Sequence, residues 1–286
     1  IFYTGYSSCG VIEEEFHGLT IHRVPILKRG NKSSLRLFLN YLSFVLSGCI
    51  IAPWILRKKQ FDLIFVYAPS PIFQVIPALF IGRLKKIPVV LWVQDIWPES
   101  ASATGYVKSK TFLNLLRFMV AYCYKHTDMI LVQSKAFISS ISKLVTNKKI
   151  VYFPNSVDSS FYSPEILDVP EIKSLTEGFV VLFAGNIGSA QSMETIVQAA
   201  FLLKKYTEIR IAIFGSGSML EWVRQRKIDM ELNNLFIEGR YPSETMPVIM
   251  RSASALLVSL KADPIFSLTI PNKVQAYLAV GRPIIA

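Results

Sequence analysis

The chain predicts an α/β protein of two doubly wound domains, and three observations carry that expectation. Short apolar runs alternate with helix-length segments along its whole length, the pattern of βαβ units and parallel sheets. A polar stretch with three prolines, PNSVDSSFYSPEILDVPEIKSLTEG, interrupts the alternation near the middle. Charge divides at the same place. Residues 1–154 hold 19 Lys and Arg against 7 Asp and Glu, and residues 155–286 hold 12 against 13.

In the first half, strands are expected at 19–24, 62–67, 89–94, 128–133 and 149–153. Residues 37–56 run for a membrane-spanning length without a charge, but Asn40, Ser43, Ser47, Gly48 and Pro53 interrupt them. That segment reads as a long helix of the α/β domain, buried or partly apposed to a membrane. The strand VVLWV is followed by QDIWPES. A carboxylate at a strand end, here Asp95, can orient a hydroxyl or act as a base, with Glu99 four residues on. Trp97 offers a flat face of the kind that packs on sugar rings. The plainer alternative is that Asp95 and Pro98 start a helix with Glu99 in its first turn.

In the second half, strands are expected at 179–184, 209–214, 234–237, 255–259 and 283–286. After Phe179–Ala184, Gly185 and Gly188 permit a tight turn and close backbone approach to a ligand. Met193, Ile196, Val197, Ala200 and Phe201 then recur at the spacing of one helical face. A helix N-terminus above such a turn suits an anion such as a diphosphate, although an ordinary strand–helix connection reads the same way. Gly215 and Gly217 form a second turn after Ile209–Phe214. Neither turn completes the G-x-G-x-x-G fingerprint or a Walker P-loop. In IPNKVQAYLAVGRPIIA, Pro271 opens a helix and Gly281 closes it. Lys273 then falls in the first turn, where the dipole disfavours a cation unless an anion is present.

Composition excludes several classes. With 51% apolar residues and no low-complexity tract, the chain is not disordered. Cys9, Cys49 and Cys123 show no C-x-x-C spacing and no histidine at metal spacing, so no disulfide framework or zinc site is expected. The basic half carries no nucleic-acid-binding motif. Its clusters, Arg57-Lys58-Lys59 and Arg83 with Lys85 and Lys86, instead abut apolar segments, as in proteins that sit on anionic membranes.

The order QDIWPES, FAGNIGSAQSMETI, IPNKVQAYLAVGRPIIA resembles bacterial family 4 glycosyltransferases of the GT-B fold. Together with HGLTIHRVP and NYLSF, it resembles the L-fucosamine-type transferases of O-antigen and capsule synthesis. The resemblance implies two Rossmann-like domains facing across a cleft: 1–154 for the acceptor, a linker at 155–177, and 178–286 for the nucleotide-sugar. It also implies that the chain is a fragment lacking both ends. Many relatives hold the donor diphosphate with an Arg and a Lys in the first glycine turn, where this chain has Asn186 and Gln191. Of the family's E-x7-E pair, Leu268 and Ala276 occupy the two positions. The donor residues implied are Gly185, Asn186, Gly188, Gln191, Gly215, Gly217, Arg240 and Lys273. Asp95 and Glu99 are the implied catalytic carboxylates and Trp97 lies on the acceptor side. The implied reaction moves a sugar, of N-acetylfucosamine type, from a nucleoside diphosphate with retention. Its acceptor is a polyprenyl-diphosphate-linked saccharide at the inner face of the plasma membrane. No D-x-D occurs, so no catalytic metal and no cofactor beyond the nucleotide-sugar is expected. A nucleotide-sugar epimerase and a non-catalytic membrane-associated protein are the rival readings.

Overall fold

The computed structural model describes residues 12–28, 34–103, 109–162 and 171–286. The chain forms two compact units, Ile1–Pro154 and Asn155–Ala286.

The first unit opens with a hairpin, β1 (Ile12–Phe16) and β2 (Leu19–Arg23), paired antiparallel. His17 and Gly18 between them both have positive φ, 47° and 77°, which suits the right-handed twist of a two-residue turn. The 19–24 run was expected among parallel strands. It pairs antiparallel instead, because its partner is only two residues away and a parallel partner needs a long crossover. The partner, IEEEF, is too acidic to announce itself as a strand.

There follow α1 (Ser34–Ile55), β3 (Ile64–Ala68), α2 (Val75–Lys85), β4 (Val89–Val93), α3 (Glu99–Ala103), α4 (Lys110–His126), β5 (Met129–Val132), α5 (Ala136–Ser142) and β6 (Lys149–Tyr152). The four strands form a parallel sheet in the order β3-β4-β5-β6. Each crossover steps one strand in the same direction, so right-handed connections stack α2, α4 and α5 on one face. Val66, Leu91, Val93, Ile130 and Val132 point into that layer and are buried with Leu79, Leu116, Val120, Phe137 and Ile141. Phe65, Tyr67 and Trp92 line the other face with Phe153, and Trp92 is the hub at 5.1–6.0 Å between ring centroids. Helix α1 leans on α2, where a Cβ on Gly48 would come within 2.8 Å of Pro77 Cγ. It is not the buried helix that is one reading of residues 37–56, since only 11% of its apolar window is covered.

The second unit contains β7 (Phe179–Ala184), α6 (Met193–Leu202), β8 (Ile209–Phe214), α7 (Leu220–Asp229), β9 (Leu235–Gly239), α8 (Met246–Arg251), β10 (Ala255–Leu257), α9 (Asn272–Val280) and β11 (Ile284–Ile285). Its parallel sheet runs β11-β10-β7-β8-β9. Strand order therefore reverses between β7 and β10, and at such a reversal the carboxyl ends of the strands leave a crevice. Alternate residues of β7 supply the two core layers. Val181 and Phe183 pack with Met193, Ile196 and Val197 of α6, and Val180 and Leu182 pack with Ile249 of α8 and Tyr277 of α9. Phe201, expected on the buried face of α6, is 44% exposed, in the last turn of the helix. The described part of the 155–177 segment packs on this unit. Ile172 is buried in its core, and Arg251 Nη2 donates to the carbonyls of Phe161 and Tyr162 at 3.0 and 2.9 Å.

Candidate active site

In the second unit the two glycine turns are laced together at the carboxyl ends of β7 and β8. Gly185 N–H donates to Phe214 O, Ile187 N–H to Ser216 O and Met219 N–H to Ile187 O, each at 2.9 Å. Glycine is required by this closeness. Gly215 has φ of 144°, and a Cβ there would lie 1.8 Å from Gly185 O. A Cβ on Gly217 would lie 2.3 Å from Ile187 O and 2.7 Å from Asn186 Oδ1, so the Asn186 side chain sits between the turns. Helix α6 does not spring directly from the first turn. A short 3₁₀ turn, Ser189–Gln191, intervenes and Ser192 caps the helix with φ of 46°.

Lys273, in the first turn of α9, reaches over this cradle. Its Nζ donates to Gln191 Oε1 at 2.7 Å and stands 3.7 Å from the centroid of the Phe183 ring. Gly185 makes room for it, since a Cβ there would be 3.2 Å from Nζ. Among the described residues no carboxylate pairs with the ammonium. Burial lowers its pKa to about 7, because the charged form loses water and gains only a neutral amide and a ring. The structure thus holds a partly buried, half-compensated cation above a glycine cradle, an arrangement that an incoming anion would complete.

Two residues that give this cation its position were not evident in the sequence. Tyr277, one helical turn after Lys273, accepts from Ala184 N–H at 2.9 Å and donates to Ala184 O at 3.3 Å, which fastens α9 to the end of β7. Phe183 supplies the ring beneath the ammonium. The four-residue spacing of Lys273 and Tyr277 on one helix face is a signal that could have flagged the first. At the start of the same helix, Asn272 Oδ1 accepts from Asn155 Nδ2. Gly185, Asn186, Gly188, Gln191, Gly215, Gly217 and Lys273 therefore lie together in the structure. Arg240 is exposed after the edge strand β9 and makes none of these contacts.

In the first unit, Asp95 follows β4 and is mostly buried. Desolvation raises its pKa to about 6, and among the described residues no hydrogen bond or cation offsets it. Beside it, Gln133 Nε2 donates to Gln94 O at 3.3 Å, while Gln94 Nε2, Gln133 Oε1 and the Tyr124 hydroxyl are buried and find no partner among the described residues. Such unmet polar groups are rare in folded proteins. Helix α3 follows Pro98 with Glu99 in its first turn, as the plainer alternative has it, and the Ile96 carbonyl, next after Asp95, already accepts from Ser100 N–H at 3.0 Å. Glu99 is held by Arg117, Nε to Oε1 3.1 Å. Trp97 Nε1 donates to Ser70 Oγ at 2.8 Å and its ring meets Phe73 edge-on.

The fold is that of the GT-B class of glycosyltransferases. Residues 178–286 match the family model described as Glycosyl transferases group 1. The chain is 25% identical over 205 residues to the probable glycosyltransferase WbjE of Pseudomonas aeruginosa, covering 69% of this chain and 50% of that protein. It is 22% identical over 286 residues to the putative colanic acid biosynthesis glycosyl transferase WcaI of Escherichia coli K12, covering 92% of this chain and 66% of that one. The chain thus spans half the length of the first relative and just under two thirds of the second. Among solved structures, Anabaena Alr3699/HepE in complex with UDP and glucose superposes with a TM-score of 0.64 at 12% identity, over 94% of this chain and 68% of HepE.

Proposed function

We propose that the protein is a nucleotide-sugar-dependent glycosyltransferase of bacterial surface polysaccharide synthesis. It transfers a sugar of the N-acetylfucosamine type, with retention, to a polyprenyl-diphosphate-linked saccharide on the inner face of the plasma membrane. The observation that carries the reading is Lys273, a partly buried cation with no carboxylate partner among the described residues, poised over two interlocked glycine turns. That cradle fits a diphosphate, and the relatives named glycosyltransferases and the UDP held by HepE support the nucleotide.

In this reading the bond from the anomeric carbon to the diphosphate oxygen breaks and an acceptor oxygen takes its place on the same face. Lys273 and the backbone N–H groups of the turns stabilise charge developing on the diphosphate, without a metal ion. Asp95 serves the acceptor, as a base or by orienting its hydroxyl, in keeping with its raised pKa. Glu99 holds Arg117 in place, and Arg240 lies on the nucleoside side of the donor. The test is product formation by the complete protein from a panel of UDP- and GDP-sugars with a polyprenyl-diphosphate-linked acceptor. Release of nucleotide without any dependence on acceptor would overturn transfer, and epimerised donor would establish the rival reaction.

A further inference from the structure

Helix α1 is turned inside out for a helix on a water-exposed domain. Its polar side chains face the protein. Asn40 Nδ2 donates to Leu27 O, Ser43 Oγ accepts from Leu27 N–H at 2.9 Å, and Ser47 Oγ donates to Pro25 O at 2.6 Å. Gly48, on the same side, lies against Pro77. Phe38, Leu42, Leu46, Ile50 and Trp54, spaced by four, form a row that starts opposite Asn40 and winds about 40° further round the helix at each step, and each is between 40% and 72% exposed. Sixteen residues at 1.5 Å each make this an apolar stripe of about 24 Å. A surface helix normally buries its apolar face and hydrates its polar one.

The stripe does not end at the helix. The Phe38 ring meets Phe112 of α4 at 6.5 Å, and α4 continues the exposed apolar surface with Leu115, Phe118 and Tyr122. At the other end, Pro53 and Arg57 share a hollow with Ile81, Leu84 and Lys85 of α2. Contiguous exposure on this scale marks an interaction site. Charge identifies the partner. Neither α1, α2 nor α4 contains an acidic residue. Arg57, Lys58 and Lys59 follow the stripe, with Arg57 stacked 4.6 Å above the Trp54 ring, and Arg83, Lys85 and Lys125 lie on the neighbouring helices, while Arg117 of α4 is paired with Glu99. An aliphatic and aromatic surface bordered by these cations is complementary to hydrocarbon beneath anionic headgroups.

We infer that α1 lies in the plane of an anionic bilayer, with Phe38, Leu42, Leu46, Ile50 and Trp54 in the acyl boundary and the Arg57 and Lys85 clusters among the phosphates. The inference deepens the reading of a membrane-borne acceptor and rests on it. Its inward polar contacts hold α1 along the domain, so it lies on the membrane and does not cross it.

The experiment is co-sedimentation of the complete protein with vesicles of phosphatidylglycerol and phosphatidylcholine, run beside transfer assays with acceptor in vesicles and in detergent. Wild type pellets with anionic vesicles at low salt, is released as ionic strength rises, and binds pure phosphatidylcholine weakly. Ile50→Asp, at an exposed position where the fold has nothing to lose, stays in the supernatant. Neutralising Arg57, Lys58 and Lys59 lowers partitioning by about fivefold per cation near the surface. Both variants keep transfer in detergent and lose it in vesicles. Wild type remaining in the supernatant, or Ile50→Asp pelleting like wild type, overturns the surface while detergent transfer leaves the reaction standing. So does an Ile50→Asp variant that converts a dimer to a monomer without lipid, which would assign the stripe to a second copy. Resistance to alkaline extraction would make α1 a span.

Discussion

Replacing Lys273 with methionine keeps a long apolar stem over the Phe183 ring and removes the ammonium. In the free protein the change deletes one hydrogen bond, 2.7 Å to Gln191 Oε1, and a desolvated charge whose pKa burial has lowered to about 7. The fold therefore loses little. With a diphosphate bound, the same change removes a charge-assisted hydrogen bond in a partly buried site, worth about 2–3 kcal/mol. Affinity for the nucleotide-sugar should fall by about 30- to 150-fold, read by isothermal calorimetry. Two pH signatures separate this role from a structural one. The unfolded chain holds the Lys273 proton up to about 10.5 and the folded one only to about 7, so wild-type stability rises with pH across that window and the variant lacks the rise. A bound diphosphate favours the charged amine, so binding near pH 7 takes up about half a proton and weakens as pH rises. A nucleotide-sugar has no titrating phosphate there to mimic the effect. Unchanged affinity in the methionine variant, or binding without proton uptake, would refute the reasoning.

Asp95→Asn should lower turnover by about 100-fold or more with nucleotide affinity intact, and wild-type rate should rise as pH passes about 6; a fall in donor affinity with turnover preserved contradicts that role. The same carboxyl is raised from 3.8, so the native state binds the extra proton between about 4 and 6 and stability falls with rising pH there, a slope that Asp95→Asn removes in urea titrations. Gly215→Ala forces a Cβ to within 1.8 Å of Gly185 O and should cost about 3 kcal/mol, visible as a lowered thermal midpoint. Tyr277→Phe leaves Ala184 N–H buried without its 2.9 Å acceptor and should cost about 1–2 kcal/mol, checked by the urea midpoint.

Most of the second unit was legible because its signals are local. Phe179–Ala184 is an uninterrupted apolar run and Ile209–Phe214 is broken only by Arg210, and both strands are found at the expected bounds. Their glycines are dictated by contact between successive turns, so spacing alone reports them. The position of Lys273 in a helical first turn was equally readable from Pro271 and Gly281. What the sequence could not express were partnerships across long separations. Tyr277 bonding to Ala184 joins residues 93 apart, and no periodicity encodes it. The β1–β2 hairpin was hidden for the opposite reason. Three consecutive glutamates suppress the apolar alternation that marks a strand, while Arg23 and Thr20 bind Glu14 and Glu15 across the pair and make them tolerable there. Helix α1 shows most clearly where pattern reading stops. Composition gives a long apolar helix either way, and burial in a core, a membrane span and a surface stripe all satisfy it. The three are told apart by which side Asn40, Ser43 and Ser47 occupy. They face the protein and are bonded to residues 25–27, so the apolar side is the one left for a partner.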